Sequence, residues 1–290
     1  LPAIWHDSEP IVLSEFVRTT APNAKIVPFN YSPDQDNTID LDFVILTDAP
    51  NYAQLFINND NENFTSGETF AWPCNDIVAA DFNANGYQDL FMAGDESLLV
   101  FQDWTGDLSG TEVLEDTSID IIIKAAAGDI DHDNDIDLVL AGDDSELEYY
   151  VNDGDGGFTL MEDSFNFGHT IVDIDLADMN GDTWLDLIVL GDNASSVYYN
   201  WSGASWVETA YDFGSALAEE LNIFDIDDDG DLDIITRGGV VYNTGDDLYV
   251  PSDYDSSLET CFSGVSLADL DADGDSDLLC AGDLDARFKF

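Results

Sequence analysis

A chain of 290 residues with 63 Asp and Glu against 6 Lys and Arg, and a formal charge of −57, repels phosphate backbones and anionic lipid surfaces, so nucleic-acid and membrane partners are not expected. Its 44% apolar and 12% aromatic content is enough to build a core, which excludes a solvated acidic coil. Self-repulsion on this scale opposes compaction unless cations offset it, leaving bound metal, basic partners or neutral glycans as the expected company.

The chain begins with Leu1, with no basic and apolar leader after it and no apolar run near the length of a membrane helix, so it reads as a mature or excised segment. Two strand-like runs come first, AIW at 3–5 and IVLSEFV at 11–17. Asp34, Asp36, Thr38 and Asp42 then place side-chain oxygens at relative positions 1, 3, 5 and 9, and the apolar run FVILTD follows. The same arrangement recurs more completely as Asp81-Asn83-Asn85-Asp89 before LFMAGD and as Asp129-Asp131-Asp133-Asp137 before LVLAGD. It returns as Asp178-Asn180-Asp182-Asp186 before LIVLGD, Asp225-Asp227-Asp229-Asp233 before IITRGG, and Asp269-Asp271-Asp273-Asp277 before LLCAGD. Position 6 is Gly86, Asn134, Thr183, Gly230 or Gly274; Gly and Asn suit a backbone of positive φ, and Thr183 is the exception.

The last acid of each copy falls at 42, 89, 137, 186, 233 and 277, a period near 47 residues, which is the length of a propeller blade. In the copy around Asp178, strands are predicted at 170–176, 186–190, 196–201 and 206–211, and 216–224 is read as a strand in spite of its helical composition. The first two strands of a copy are apolar on both faces, as expected near a crowded axis, while the outer pair alternates. The predicted fold is all-β: one β-propeller domain over 1–290, built of four-stranded antiparallel blades. Six blades are preferred, with the strand at 11–17 completing a last blade that ends in ARFKF at 286–290. Seven is the alternative, because AIW duplicates ARFKF.

Hard oxygen donors at positions 1, 3, 5 and 9, with a backbone carbonyl from position 7 (Tyr87, Asp135, Trp184, Asp231 or Asp275), converge on one point and suit Ca²⁺. No His or Cys falls among them, which argues against zinc and copper, and the flexible loop disfavours Mg²⁺. About five ions are expected, with a sixth possible at Asp34, Asp36, Thr38 and Asp42. The competing explanation is an Asp-rich turn held by Asx hydrogen bonds. Extracellular calcium modules bind at about 10⁻⁴ to 10⁻³ M at the weak end, so such loops point to a secreted or cell-surface setting.

The motif Asp-x-Asp-x-Asp-Gly-x-x-Asp-Leu at this period resembles the FG-GAP and VCBS repeats of integrin α-subunit propellers and of many secreted microbial proteins. Phe167-Gly168 and Phe213-Gly214 match the Phe-Gly pair that names the repeat. The resemblance covers nearly all of 25–290 and implies a calcium-binding propeller whose metal loops lie on the face opposite its ligand-binding loops. Members of the family serve as adhesion domains, lectin-like binders and non-catalytic parts of polysaccharide-degrading enzymes.

Beyond the loops, chemistry is sparse. His6, His132 and His169 fall in no nucleophile or zinc signature, and no phosphate loop or nucleophile elbow occurs, so no enzyme is expected and no catalytic residue is assigned. Cys74, Cys261 and Cys280 are read as buried apolar residues rather than a disulfide framework. Trp72, Trp104, Trp201 and Trp206 are candidate stacking surfaces for a ligand, with packing between blades as the competing role. Asn30, Asn63, Asn193 and Asn200 begin N-glycosylation sequons. The expected function is a non-catalytic recognition or adhesion module for a protein or glycan. The alternatives are a self-assembling structural subunit of an extracellular assembly and the propeller of a polysaccharide-degrading enzyme.

Overall fold

The computed structural model describes residues 25–31, 42–46, 53–58, 64–71, 73–95, 97–102, 107–111, 114, 117–161, 165–192, 194–200, 206–211, 221–227, 229–236, 239–245, 249–251, 263–268, 277–281 and 286–289. These residues form strands and turns only, in six antiparallel sheets that each run outward in chain order. The first sheet is β1 (Lys25–Phe29), β2 (Asp42–Leu46), β3 (Ala53–Asn58) and β4 (Phe64–Phe70); the second is β5 (Asp76–Ala80), β6 (Asp89–Ala93), β7 (Leu98–Gln102) and β8 (Leu108–Thr111). The third holds β9 (Ile122–Gly128), β10 (Asp137–Gly142), β11 (Glu146–Asn152) and β12 (Phe158–Leu160), with the short β13 (Phe165–Asn166) also paired to β11. The fourth is β14 (Ile171–Ala177), β15 (Asp186–Gly191), β16 (Ser195–Asn200) and β17 (Trp206–Tyr211), close to the bounds predicted from sequence. The fifth is β18 (Leu221–Phe224), β19 (Asp233–Thr236), β20 (Gly239–Asn243) and β21 (Tyr249–Pro251); the sixth is β22 (Ser263–Ala268), β23 (Asp277–Ala281) and β24 (Ala286–Lys289).

First strands touch in succession, β1 to β5 to β9 to β14 to β18, so consecutive sheets pack around a common inner edge. The apolar clusters lie between neighbouring sheets: Met92 and Val100 meet Val44 and Leu55 across one interface, and Ile171 and Val189 meet Val139 and Leu147 across another. Facing sheets on both sides explain why the second strands β6, β10, β15 and β19 are buried at every residue. The first strands are less covered than their composition suggests: β14 exposes parts of Val172, Asp173 and Asp175 because it forms the inner border of its sheet.

That border is polar by design of register. Lys25, Asp76, Lys124 and Asp173 occupy the same position in four successive first strands, each opposite the equivalent residue of its second strand. Lys25 pairs with Asp76, and Lys124 Nζ lies 2.9 Å from Asp173 Oδ1. The other Asp oxygens reach forward: Asp76 Oδ2 accepts the Ala125 N–H at 3.1 Å, and Asp173 Oδ2 accepts that of Leu221 at 2.9 Å. Two of the chain's six basic residues thus join neighbouring sheets where the sequence offers no loop motif to mark them.

The Phe-Gly pair has a packing basis. A Cβ on Gly191, at the end of β15, would lie 2.6 Å from the ring of Phe167, and Gly168 turns the chain at φ +81°. Cys74 is buried as expected, and burial pushes its thiol up to about 12. The runs at 3–5 and 11–17, Phe290, and Cys261 lie outside the described residues; β24 at 286–289 does extend the last sheet.

Candidate metal centre

Each complete loop leaves a first strand, turns through positions 1 to 8 and enters the second strand at its position-9 Asp. Four such loops fall within the described residues, apart from Asp228; residues 269–276 of the fifth lie outside them, as do Asp34, Asp36 and Thr38. The first repeat differs from the sequence reading. Residues 30–41 separate the paired Phe29 and Asp42, against 81–88 between Ala80 and Asp89, so its loop is longer and Asn30, not Asp34, directly follows the strand.

Position 6 has positive φ in every described case: Gly86 at 88°, Asn134 at 75°, Gly230 at 98° and also Thr183 at 78°. Position 4 shares that conformation at Ala84, His132 and Gly181, which the spacing of acids did not reveal. With two left-handed residues the backbone curls inward, and the side chains hold it. The position-1 Asp accepts the position-6 N–H at 2.7 Å in Asp81, 3.1 Å in Asp129, 2.8 Å in Asp178 and 3.0 Å in Asp225. Position 5 accepts the position-7 N–H, as Asn85 does at 2.8 Å and Asp133, Asp182 and Asp229 do at 2.9 Å. The Asx turns offered as a competing explanation are therefore present; they shape the loop and leave lone pairs over.

Position 9 has a second role. Asp89, Asp137, Asp186 and Asp233 are fully buried, and each carboxylate accepts two backbone N–H groups. One comes from position 2 (Phe82, Ile130, Met179, Ile226) and one from the end of the third strand (Gln102, Asn152, Asn200, Asn243), all at 2.8 to 3.0 Å. Asp42 does the same with Tyr31 and Asn58. Those third-strand residues then reach back to the preceding sheet. Gln102 donates to the Asn30 carbonyl, Asn152 to Phe82, Asn200 to Ile130 and Asn243 to Met179, at 2.8 to 2.9 Å. The result is a continuous hydrogen-bonded belt from loop to loop through four successive interfaces.

Burial raises the position-9 acids, Asp89 and Asp137 to about 6 and Asp186 to about 7, against the lowering effect of their amide bonds. Asp131 is also raised, by burial and then by the neighbouring Asp133 charge. Asp135, at position 7, is raised too, first by loss of solvation and then by the Asp133 and Asp129 charges, with Asp153 and Asp155 of the adjoining turn adding less.

The residues fit a cation. One carboxylate oxygen each from Asp129, Asp131 and Asp137 lies within 4.8 Å of the others, as do oxygens of Asp225, Asp227 and Asp229. Ligands held at about 2.3 to 2.6 Å from a Ca²⁺ ion lie at most about 5 Å apart, so this spacing is that of a common shell. Oδ1 of Asp129 and Oδ1 of Asp225 are buried with no hydrogen-bond partner, an arrangement that costs free energy unless a cation completes it. In the loops with Asn at position 3 the equivalent oxygen is engaged: Asp81 Oδ1 accepts the Asn85 N–H at 3.0 Å and Asp178 Oδ1 that of Asp182 at 3.1 Å.

In fold the chain is similar to a lectin of Agrocybe aegerita that recognises non-reducing terminal N-acetylglucosamine, with a TM-score of 0.65 at 20% identity over 92% of this chain and 79% of the lectin. It is also similar to a chain in the structure of BBS1N in complex with ARL6DN, with a TM-score of 0.58 at 11% identity over 91% and 77% of the two chains. No curated protein matches the sequence significantly. Residues 129–189 and 178–236 match the family model of the FG-GAP-like repeat. The chain is a β-propeller in fold, and residues 129–236 of it are FG-GAP-like repeats. Of the propeller's aromatic candidates, Trp206 packs between sheets, edge-on to Tyr149 at 6.2 Å, while Trp72, Trp104 and Trp201 lie outside the described residues. The Asn200 sequon is not open to a glycan in the folded propeller, because Asn200 is 1% exposed and its amide nitrogen is bonded to Ile130.

Proposed function

We propose that this propeller is a calcium-stabilised, non-catalytic recognition module that works outside the cell and binds a protein or a glycan through surfaces away from its metal loops. The observation that carries the calcium part is the pair of buried, unpartnered oxygens on Asp129 and Asp225 inside carboxylate clusters of cation-shell spacing. The sites comprise Asp81, Asn83, Asn85 and Asp89; Asp129, Asp131, Asp133 and Asp137; Asp178, Asn180, Asp182 and Asp186; Asp225, Asp227, Asp229 and Asp233. Asp269, Asp271, Asp273 and Asp277 repeat the pattern, and the position-7 residues add their carbonyls. Recognition is supported by the likeness in fold to a glycan-recognising lectin and to a chain of a protein complex. Calcium that binds the folded chain alone stabilises it by mass action. Thermal unfolding with millimolar calcium and again after chelation, with ions counted by native mass spectrometry, tests the first part. An unchanged melting temperature and no bound ion would sink it. A glycan array that includes chains ending in N-acetylglucosamine tests the second, and calcium-loaded protein that retains no glycan would remove the glycan reading and leave a protein ligand.

A further inference from the structure

The metal loops at 129–137 and 178–186 touch at a second point besides the buried belt. The imidazole of His132, at position 4 of one loop, stacks on the indole of Trp184, at position 7 of the next, with ring centres 3.9 Å apart and planes 10° from parallel. His132 Nε2 donates to the Thr183 carbonyl at 2.8 Å. Thr183 is the β-branched residue that holds φ +78° at position 6, a strained conformation for such a side chain. The contact therefore falls on the strained residue and on the position-7 residue, whose carbonyl the loop spacing assigns as a ligand. His132 is itself held in a left-handed conformation at φ 62°, which the curl of its own loop imposes.

The neighbouring pairs of loops lack this contact. Ala84 occupies position 4 of the loop before, opposite Asp135, and Gly181 occupies it in the loop after, opposite Asp231; neither has a ring to stack. Those pairs share the buried amide links, Asn152 to Phe82 and Asn243 to Met179, and the apolar packing of Phe82 and Met179. The 178–186 loop has the weaker endowment of its own, with neutral Asn180 at position 3 and Thr183 at position 6, whereas the 129–137 loop has Asp at all four ligand positions.

We propose that calcium binding to the 129–137 loop promotes binding to the 178–186 loop, with His132 as the positioning residue: ordering the first loop fixes the imidazole, which holds Thr183 and Trp184 in the turn that the second ion needs. The inference rests on the calcium reading above. Linkage requires that the effect be mutual, and couplings of this kind change affinity by roughly 5-fold or more.

The test is a calcium titration of the full chain by native mass spectrometry, alongside hydrogen exchange of the peptide spanning 178–190. His132→Ala keeps every ligand and removes an exposed side chain. It should still reach the wild-type ion count at saturation but need roughly 5-fold more calcium for one ion, with faster exchange at Thr183 and Trp184. Asp131→Ala should lose two ions at a calcium level just saturating for wild type, whereas Asp227→Ala, in a loop without the stack, should lose one. A His132→Ala titration and exchange profile superimposable on wild type, or loss of a single ion in Asp131→Ala, overturns the coupling while leaving the calcium reading intact. Wild type that takes up no calcium overturns both.

Discussion

Asn200 offers the cleanest probe of the belt, because its contribution is independent of metal. Its Nδ2 donates to the carbonyl of Ile130 in the preceding repeat, and both residues are about 1% exposed. Asn200→Ala leaves a buried carbonyl without its partner, a loss of about 1–3 kcal/mol. Asn200→Asp keeps the size but turns an acceptor toward that carbonyl and introduces a buried charge close to Asp186, whose Oδ1 bonds the Asn200 N–H. Breaking a buried polar pairing this way costs about 3–5 kcal/mol. At about 2–4 °C per kcal/mol for a chain of this size, the Ala variant should melt roughly 2–12 °C lower and the Asp variant lower still. The assay is thermal unfolding in chelator, so that metal affinity does not enter, with hydrogen exchange reporting faster opening of the 129–137 loop. An Asp variant as stable as wild type in chelator, with unaltered exchange in that loop, would refute the belt as a source of stability.

Acidity should act in opposite directions with and without calcium. Asp89 and Asp137 titrate at about 6 and Asp186 at about 7, above an ordinary value of 3.8, so the folded chain binds more protons than the unfolded chain between those limits. In chelator, stability should fall as pH climbs from about 4 to about 7; with calcium, which needs the ionised form, it should rise over the same window, and parallel melting curves in the two buffers would contradict this. The Cys74 thiol, pushed up to about 12 by burial, should resist alkylation at neutral pH until the chain unfolds, as peptide mapping would show. Lys124→Met removes the cation 2.9 Å from Asp173 and should cost about 1–3 kcal/mol. Because the pair is mostly buried, the loss should persist in high salt, and full recovery by salt would mean that the ring of charge is only a surface feature.

Much of the architecture could be read from residue spacing because the loop and the strand after it repeat together. The bounds of β14 to β17 followed within a residue from one copy. What stayed hidden depends on chain segments far apart. Position 9 reads as one more metal ligand, yet its carboxylate also joins position 2 to the end of the third strand, and that strand end is not marked by any acid. Asn152, Asn200 and Asn243 recur at the corresponding place, a signal present in the sequence but overshadowed by the acids. The left-handed residues at position 4 are Ala84, His132 and Gly181, three types with no common preference, so only the loop's curl dictates them. Thr183 looked like the weakest position 6 from its side chain alone; the His132 contact that supports it comes from another repeat.

The two populations of acid in the Asp-rich loops have different remedies for the same excess charge. Position-9 carboxylates are buried, where like-charge repulsion is strongest, and each is held by two backbone N–H dipoles that the fold supplies whether or not an ion is present. The acids at positions 1, 3 and 5 lie nearer solvent and have only the short-range amides of their own turn, so their mutual repulsion remains for an external cation to relieve. None of the three lysines lies in these loops: Lys289 is on β24, and Lys25 and Lys124 are on inner strands, where they face Asp76 and Asp173. A lysine in a loop would compete with the cation for the same oxygens; on the inner edge it neutralises acids that no loop encloses. Lys25 and Lys124 thus supply fixed positive charge at an inner edge that no acidic loop encloses.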